Sequence, residues 1–147
     1  MNFLRYNVLL IEDDLSAIDL AHRAASDCCA ELDLTVAEGV DAVLKWLDDS
    51  IESKRQMPYF ITLDLKLPKL DGLAILRKLR IHPATRDVPI VTFSAEHTQA
   101  DVLMAYQVGA NSFVAKPANQ QEFTAFLREQ LAHWRQPKQR ELVFASK

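Results

Sequence analysis

The chain has 147 residues, with 17 basic against 20 acidic groups, a net charge of −3, and 49% hydrophobic and 25% charged residues. That length suits one globular domain burying roughly 68–70% of its unfolded surface, and the balance of charge lacks the basic excess of a nucleic-acid binder. Three glycines and six prolines exclude a low-complexity chain. Residues 1–13 carry one basic residue and a short apolar run. This is far from the ~20 apolar residues of a membrane span and has no signal-peptide pattern. The expectation is a cytoplasmic protein with neither membrane nor nucleic acid as partner.

Short apolar runs alternate along the chain with longer amphipathic segments. The runs cover residues 7–11, 34–37, 59–63, 89–93 and 112–115. Most lack strict alternation, as expected of strands covered on both faces. Helical spacing joins Ile18, Ala21 and Ala25, then Val40, Val43, Leu44 and Leu47, then Leu73, Leu76 and Leu79. A fourth helix is expected after the cap Thr98. A fifth follows the cap Asn119, with Phe123, Phe126, Leu127, Leu131 and Trp134 on its buried face. Asp71-Gly72 is expected to open the third helix and His82-Pro83 to close it, because the residue before proline avoids helical dihedrals. Residues 50–58 read as a long polar loop. Repeated strand–helix alternation predicts an α/β fold, a flavodoxin-like open parallel sheet of order 2-1-3-4-5 with helices on both faces. Residues 1–134 form the domain and residues 135–147 a short tail.

In such sheets ligands bind outside the carboxyl ends of the strands. Glu12, Asp13 and Asp14 follow the first strand, Asp64 the third, Ser94 the fourth, and Lys116-Pro117 the fifth. Polar loop residues mean little singly, but four complementary groups at four strand ends define a site. Crowded carboxylates stay ionised only beside a cation, and oxygen ligands without Cys or His suit Mg²⁺. A carboxylate held there can act as a nucleophile and form an aspartyl phosphate. Positioned cations and donors such as Lys116 and Ser94 would stabilise the transferring group.

Leu9-Leu10-Ile11-Glu12-Asp13-Asp14, Leu63-Asp64-Leu65-Lys66-Leu67-Pro68, Asp71-Gly72, Ser94-Ala95 and Phe113-Val114-Ala115-Lys116-Pro117 together resemble bacterial two-component response-regulator receiver domains. The spacing also matches, with 30 positions from Asp64 to Ser94 and 22 from there to Lys116. The resemblance covers about residues 6–134. It implies a phosphoacceptor at Asp64 and a Mg²⁺ or Mn²⁺ ion held by Glu12, Asp13, Asp64 and the carbonyl of Lys66. It also implies a catalytic lysine at Lys116 and a switch made of Ser94 and Phe113. Such a domain is not an enzyme in the ordinary sense; it assists its own metal-dependent phosphorylation and dephosphorylation. The segment His82-Pro83-Ala84-Thr85-Arg86-Asp87-Val88-Pro89-Ile90-Val91 and the short tail are most similar to stand-alone receivers that partner phytochrome-type histidine kinases. The implied partners are a sensor histidine kinase, a phosphotransfer protein and a second copy in a homodimer.

Several residues carry two readings. Lys66 is either a solvated loop lysine or a charge that tunes water attack on the phosphoryl group, a role Glu96 could take instead; the two could also pair with each other. Phe113 is either a core aromatic or a mobile one. Val102-Leu103-Met104-Ala105-Tyr106 is apolar around much of its circumference, which suggests a binding surface at the fourth helix and fifth strand. Leu142-Val143-Phe144 either docks or frays. The adjacent Cys28 and Cys29 suit free thiols. His22, His82, His97 and His133 suit surface or helix roles. Two other functions compete: a pseudo-receiver adaptor that is never phosphorylated, and a phosphohydrolase. Lys66 stands where the latter would want a second aspartate.

Overall fold

The computed structural model describes residues 5–53, 57–66 and 72–134. Ten elements alternate: β1 (Tyr6–Ile11), α1 (Leu15–Cys28), β2 (Leu32–Ala37), α2 (Val40–Ser53), β3 (Phe60–Asp64), α3 (Gly72–Ile81), β4 (Ile90–Ser94), α4 (Gln99–Val108), β5 (Ser112–Ala115) and α5 (Gln120–Trp134). All strand pairs are parallel, in the order β2-β1-β3-β4-β5. The expected fold is therefore the observed one.

The continuous apolar runs conceal a period of two. In β1, Leu9 and Ile11 face a core shared with Val43, Trp46 and Leu47 of α2 and Ile75, Leu76 and Leu79 of α3. Val8 and Leu10 face the opposite core, where Ala21, Ala24 and Ala25 of α1 meet Phe123, Leu127 and Leu131 of α5. Both faces are covered, so β3 and β4 are buried at every position. The edge strands β2 and β5 are only partly buried.

Local chemistry sets the ends of the helices. Thr98 and Asp101 form a reciprocal capping box at α4. The Asn119 carbonyl oxygen Oδ1 accepts the Glu122 N–H at 2.8 Å, as a helix cap should. α4 closes at Gly109, whose φ of 128° favours glycine and whose N–H reaches the carbonyls of Ala105 and Tyr106. α3 ends at Ile81, just before His82-Pro83. Gly72 begins that helix; Asp71 lies outside the described residues.

Strand β2 begins at Leu32, two residues before the expected run, and one helix boundary departs further. Helix α2 continues through Ser53, into what reads as a polar loop over 50–58. Ser50 extends the buried stripe of Val43, Trp46 and Leu47, and its hydroxyl donates to the Trp46 carbonyl at 2.7 Å. A serine satisfied within its own helix does not end it.

Candidate functional site

The carboxyl ends of β1, β3, β4 and β5 converge because the sheet is parallel throughout. Its ladder runs one residue past three strand pairs: Glu12 N–H donates to Ala37, Leu65 N–H to Phe93 and Lys116 N–H to Ser94, at 3.0–3.1 Å. The side chains at the rim thus hang from fixed backbone. Between them lies a cavity of about 690 Å³, lined by Glu12, Asp13, Asp64, Lys66, Ser94 and Lys116 among others. Every site residue expected from the sequence borders it except Phe113. Phe113 borders a smaller adjoining cavity of about 160 Å³ together with Ser94, Lys66 and Asp101.

Lys116 is the hub. Its ammonium donates to Asp64 Oδ2 at 2.7 Å and lies 2.6 Å from Glu12 Oε1. The second contact is a salt bridge. Lys116 also stands 5.8 Å from the centre of the Phe93 ring. The other Asp64 oxygen accepts the Lys66 N–H at 2.9 Å. Burial pushes the Glu12 carboxyl above its ordinary pKa, and the charge of Asp64 adds to this; Lys116 and the Asp14 amide oppose both. Burial lowers the pKa of Lys116, but Asp64 and Glu12 together outweigh it and hold the ammonium above its usual value. Asp14 plays a different part: it is exposed and caps α1 by accepting the Ser16 N–H. The run of three acids is therefore divided between a site and a cap.

The oxygen-rich donor set fits a hard divalent cation. Asp13 Oδ1 is buried, and among the described residues no donor reaches it, which is costly for a carboxylate unless a cation answers it. Among the described residues no three His, Cys, Asp or Glu side chains form a ready cage. A backbone carbonyl such as that of Lys66, and water, would complete the shell of an ion like Mg²⁺, which keeps several waters in any case.

The remaining positions sort as follows. The Ser94 hydroxyl is buried and donates to the Glu96 carbonyl at 2.6 Å. Phe113 is half-buried, and its ring meets that of His97 edge-on at 4.9 Å. The Phe113 N–H donates to the Tyr106 hydroxyl oxygen at 3.2 Å. Lys66 pairs with Asp101 at 3.3 Å, and not with Glu96. Leu103, Met104 and Tyr106 are exposed on α4, as its apolar circumference suggested. Cys28 and Cys29 are free thiols, and burial pushes Cys28 up to about 11. The tail 135–147, with Leu142-Val143-Phe144, lies outside the described residues. Among the described residues no helix is long and apolar enough to cross a membrane.

Sequence reasoning missed a clamp at Arg80. Its guanidinium donates to the carbonyls of Gly109, Arg86 and Val88 and to Asn111 Oδ1, at 2.7–3.0 Å. No sequence pattern marks such a residue, because most of its acceptors are backbone.

A doubly wound parallel sheet with acids, a hydroxyl and a lysine at its carboxyl rim defines a class of phosphate-handling α/β domains. The chain belongs to the response regulator receiver domain family, which it matches over residues 8–128. It is 26% identical to the response regulator Rcp1 of Synechocystis over 113 residues, 76% of this chain and 77% of that one. The crystal structure of the Mn²⁺-bound form of Rcp1 superposes with a TM-score of 0.71 at 23% identity, covering 88% and 94% of the two chains. The structure of the bacteriophytochrome response regulator RtBRR aligns at 29% identity and a TM-score of 0.68, covering 86% and 78%. The transcriptional regulatory protein CpxR of Escherichia coli is 28% identical over 134 residues, 90% of this chain but 53% of CpxR, so the chain spans about half its length.

Proposed function

We propose that this receiver accepts a phosphoryl group on Asp64 from a phosphohistidine of a sensor histidine kinase. An Asp64 carboxylate oxygen bonds to phosphorus, the nitrogen–phosphorus bond breaks, and the released imidazole takes a proton. The observation that carries this reading is the state of Asp64. It is nearly buried at the cavity floor, with one oxygen held by the Lys66 N–H and the other by the Lys116 ammonium.

Glu12, Asp13, Asp64 and the Lys66 carbonyl would hold Mg²⁺ or Mn²⁺, which would neutralise charge on the phosphoryl oxygens. Lys116 would move from its carboxylate partners to a phosphoryl oxygen. Ser94 would give up the Glu96 carbonyl to donate to another, with Phe113 following by packing alone. Output would pass through the exposed apolar residues of α4 with β5 and α5, to a homodimer partner or a phosphotransfer protein. The likeness to a bacteriophytochrome response regulator supports a phytochrome-type kinase as donor.

Incubation with a small phosphodonor and Mg²⁺, beside Asp64→Asn, tests the reading. An acid-stable, base-labile phosphoprotein from the wild type alone is expected. No label from a small donor or a kinase would favour an adaptor, and rapid turnover of phosphate esters a hydrolase.

A further inference from the structure

Lys66 stands between two cavities. Its backbone N–H is fixed on Asp64 Oδ1 at 2.9 Å, while its ammonium reaches across to Asp101 Oδ2 at 3.3 Å. It lines both the acidic cavity and the smaller one beside Ser94 and Phe113. The same Asp101 oxygen accepts the Thr98 N–H at 2.9 Å in the capping box of α4. The Thr98 amide, and then Lys66, hold the Asp101 carboxyl below its usual pKa. One carboxylate therefore serves the start of α4 and the loop that follows the proposed acceptor.

The two ends of α4 are held unequally. Ala105 is its one buried residue. Its C-terminal end is fastened by Arg80, whose Nε and Nη2 both donate to the Gly109 carbonyl at 3.0 and 2.7 Å. Tyr106 is tied to β5 through the Phe113 N–H. The described residues place the capping box and the Lys66 ion pair at the N-terminal end. The end of the helix that faces the site is the one held by the Lys66 pair.

We propose that the Lys66–Asp101 pair is a latch. Resting on the reading of Asp64 as phosphoacceptor, Asp101 is a positioning residue that holds the Lys66 ammonium away from Asp64, and a phosphoryl group there draws Lys66 off. An aspartyl phosphate brings close to two negative charges against the single charge of Asp101. The lysine side chain is 54% exposed on a flexible stem, so it changes partner at small cost. Its departure leaves Asp101 to the cap alone and loosens the first turn of α4, while the Arg80 end stays put. The coupling is reciprocal: whatever weakens the pair must strengthen binding at Asp64.

The test uses beryllofluoride, a phosphoryl mimic, with Mg²⁺ and the full chain. Asp101→Asn removes the charge but keeps an amide oxygen for the Thr98 N–H. It should bind beryllofluoride about two- to fivefold more tightly than wild type, the range for an ion pair of this exposure. The same substitution in a Lys66→Ala background should change nothing. In the wild type, saturating beryllofluoride should speed hydrogen exchange at the Val102 and Leu103 amides and leave Gly109 unchanged. An Asp101→Asn effect that is absent, or that persists without Lys66, would overturn the latch alone. Failure of the wild type to bind the mimic would overturn the phosphoacceptor reading and the latch with it.

Discussion

Replacing Lys116 with Met removes the ammonium that separates two buried carboxylates. In the wild type it lies 2.6 Å from Glu12 and 2.7 Å from Asp64, residues with 1% and 4% of their surface exposed. Breaking a buried pair by deleting one partner costs about 3–5 kcal/mol, because the other charge is stranded. The Lys116 side chain is 16% exposed at the mouth of an open cavity, so the loss should fall nearer 2–4 kcal/mol in chelator at neutral pH. The loss should depend on pH with a definite sign. Burial already raises the folded-state pKa of Glu12 above 4.5, and deleting Lys116 removes an opposing influence. A carboxyl with a raised folded-state pKa contributes stability in full below its unfolded pKa and loses it as pH rises through the folded value. The variant should therefore gain on the wild type as pH falls from about 8 towards about 5. Added Mg²⁺ should recover part of the deficit. Urea denaturation across that range, with and without chelator, reads all three effects. A deficit below about 0.5 kcal/mol, independent of pH, would refute the argument that Lys116 neutralises Glu12 and Asp64.

Three further substitutions probe the frame of the site. Asp13→Asn should stabilise the metal-free protein by about 1 kcal/mol, since it removes a carboxylate charge whose buried Oδ1 no described donor answers, and should abolish the rise in Tm on adding Mg²⁺. Arg80→Met strands the carbonyls of Gly109 and Val88, and should cost about 2–4 kcal/mol by urea denaturation. At Gly72 an added Cβ would meet the Leu65 Cα and carbonyl oxygen at 2.6 Å. Gly72→Ala should therefore lower the urea midpoint by an amount equal to about 1–3 kcal/mol, and it should also disturb the loop that carries Lys66.

Much of this was legible in the residues because a parallel sheet writes its topology plainly. Buried strands need continuous apolar runs, and the runs at 7–11 and 89–93 fell within a residue of β1 and β4. The rim followed from the same logic, since whatever succeeds a strand lies at the carboxyl edge. Glu12, Asp13, Asp64, Ser94 and Lys116 do border one cavity. What stayed hidden depends on distance and backbone. Lys66 and Asp101 are 35 positions apart and meet because β3 and β4 are neighbouring parallel strands, whose carboxyl ends lead to Lys66 and to α4. The Arg80 clamp reads backbone carbonyls, which every residue offers and no motif marks. The end of α2 was missed because a serine that bonds its own helix looks, in sequence, like a loop residue.

The central claim is that Asp64 carries the phosphoryl group. It is tested most directly by treating the protein with a small phosphodonor and Mg²⁺, reducing any acyl phosphate with borohydride, and sequencing the peptides by mass spectrometry. The account predicts homoserine at position 64, dependent on the metal and strongly diminished in Lys116→Met. Reduction at another carboxylate, or none at 64 under any donor, would contradict it.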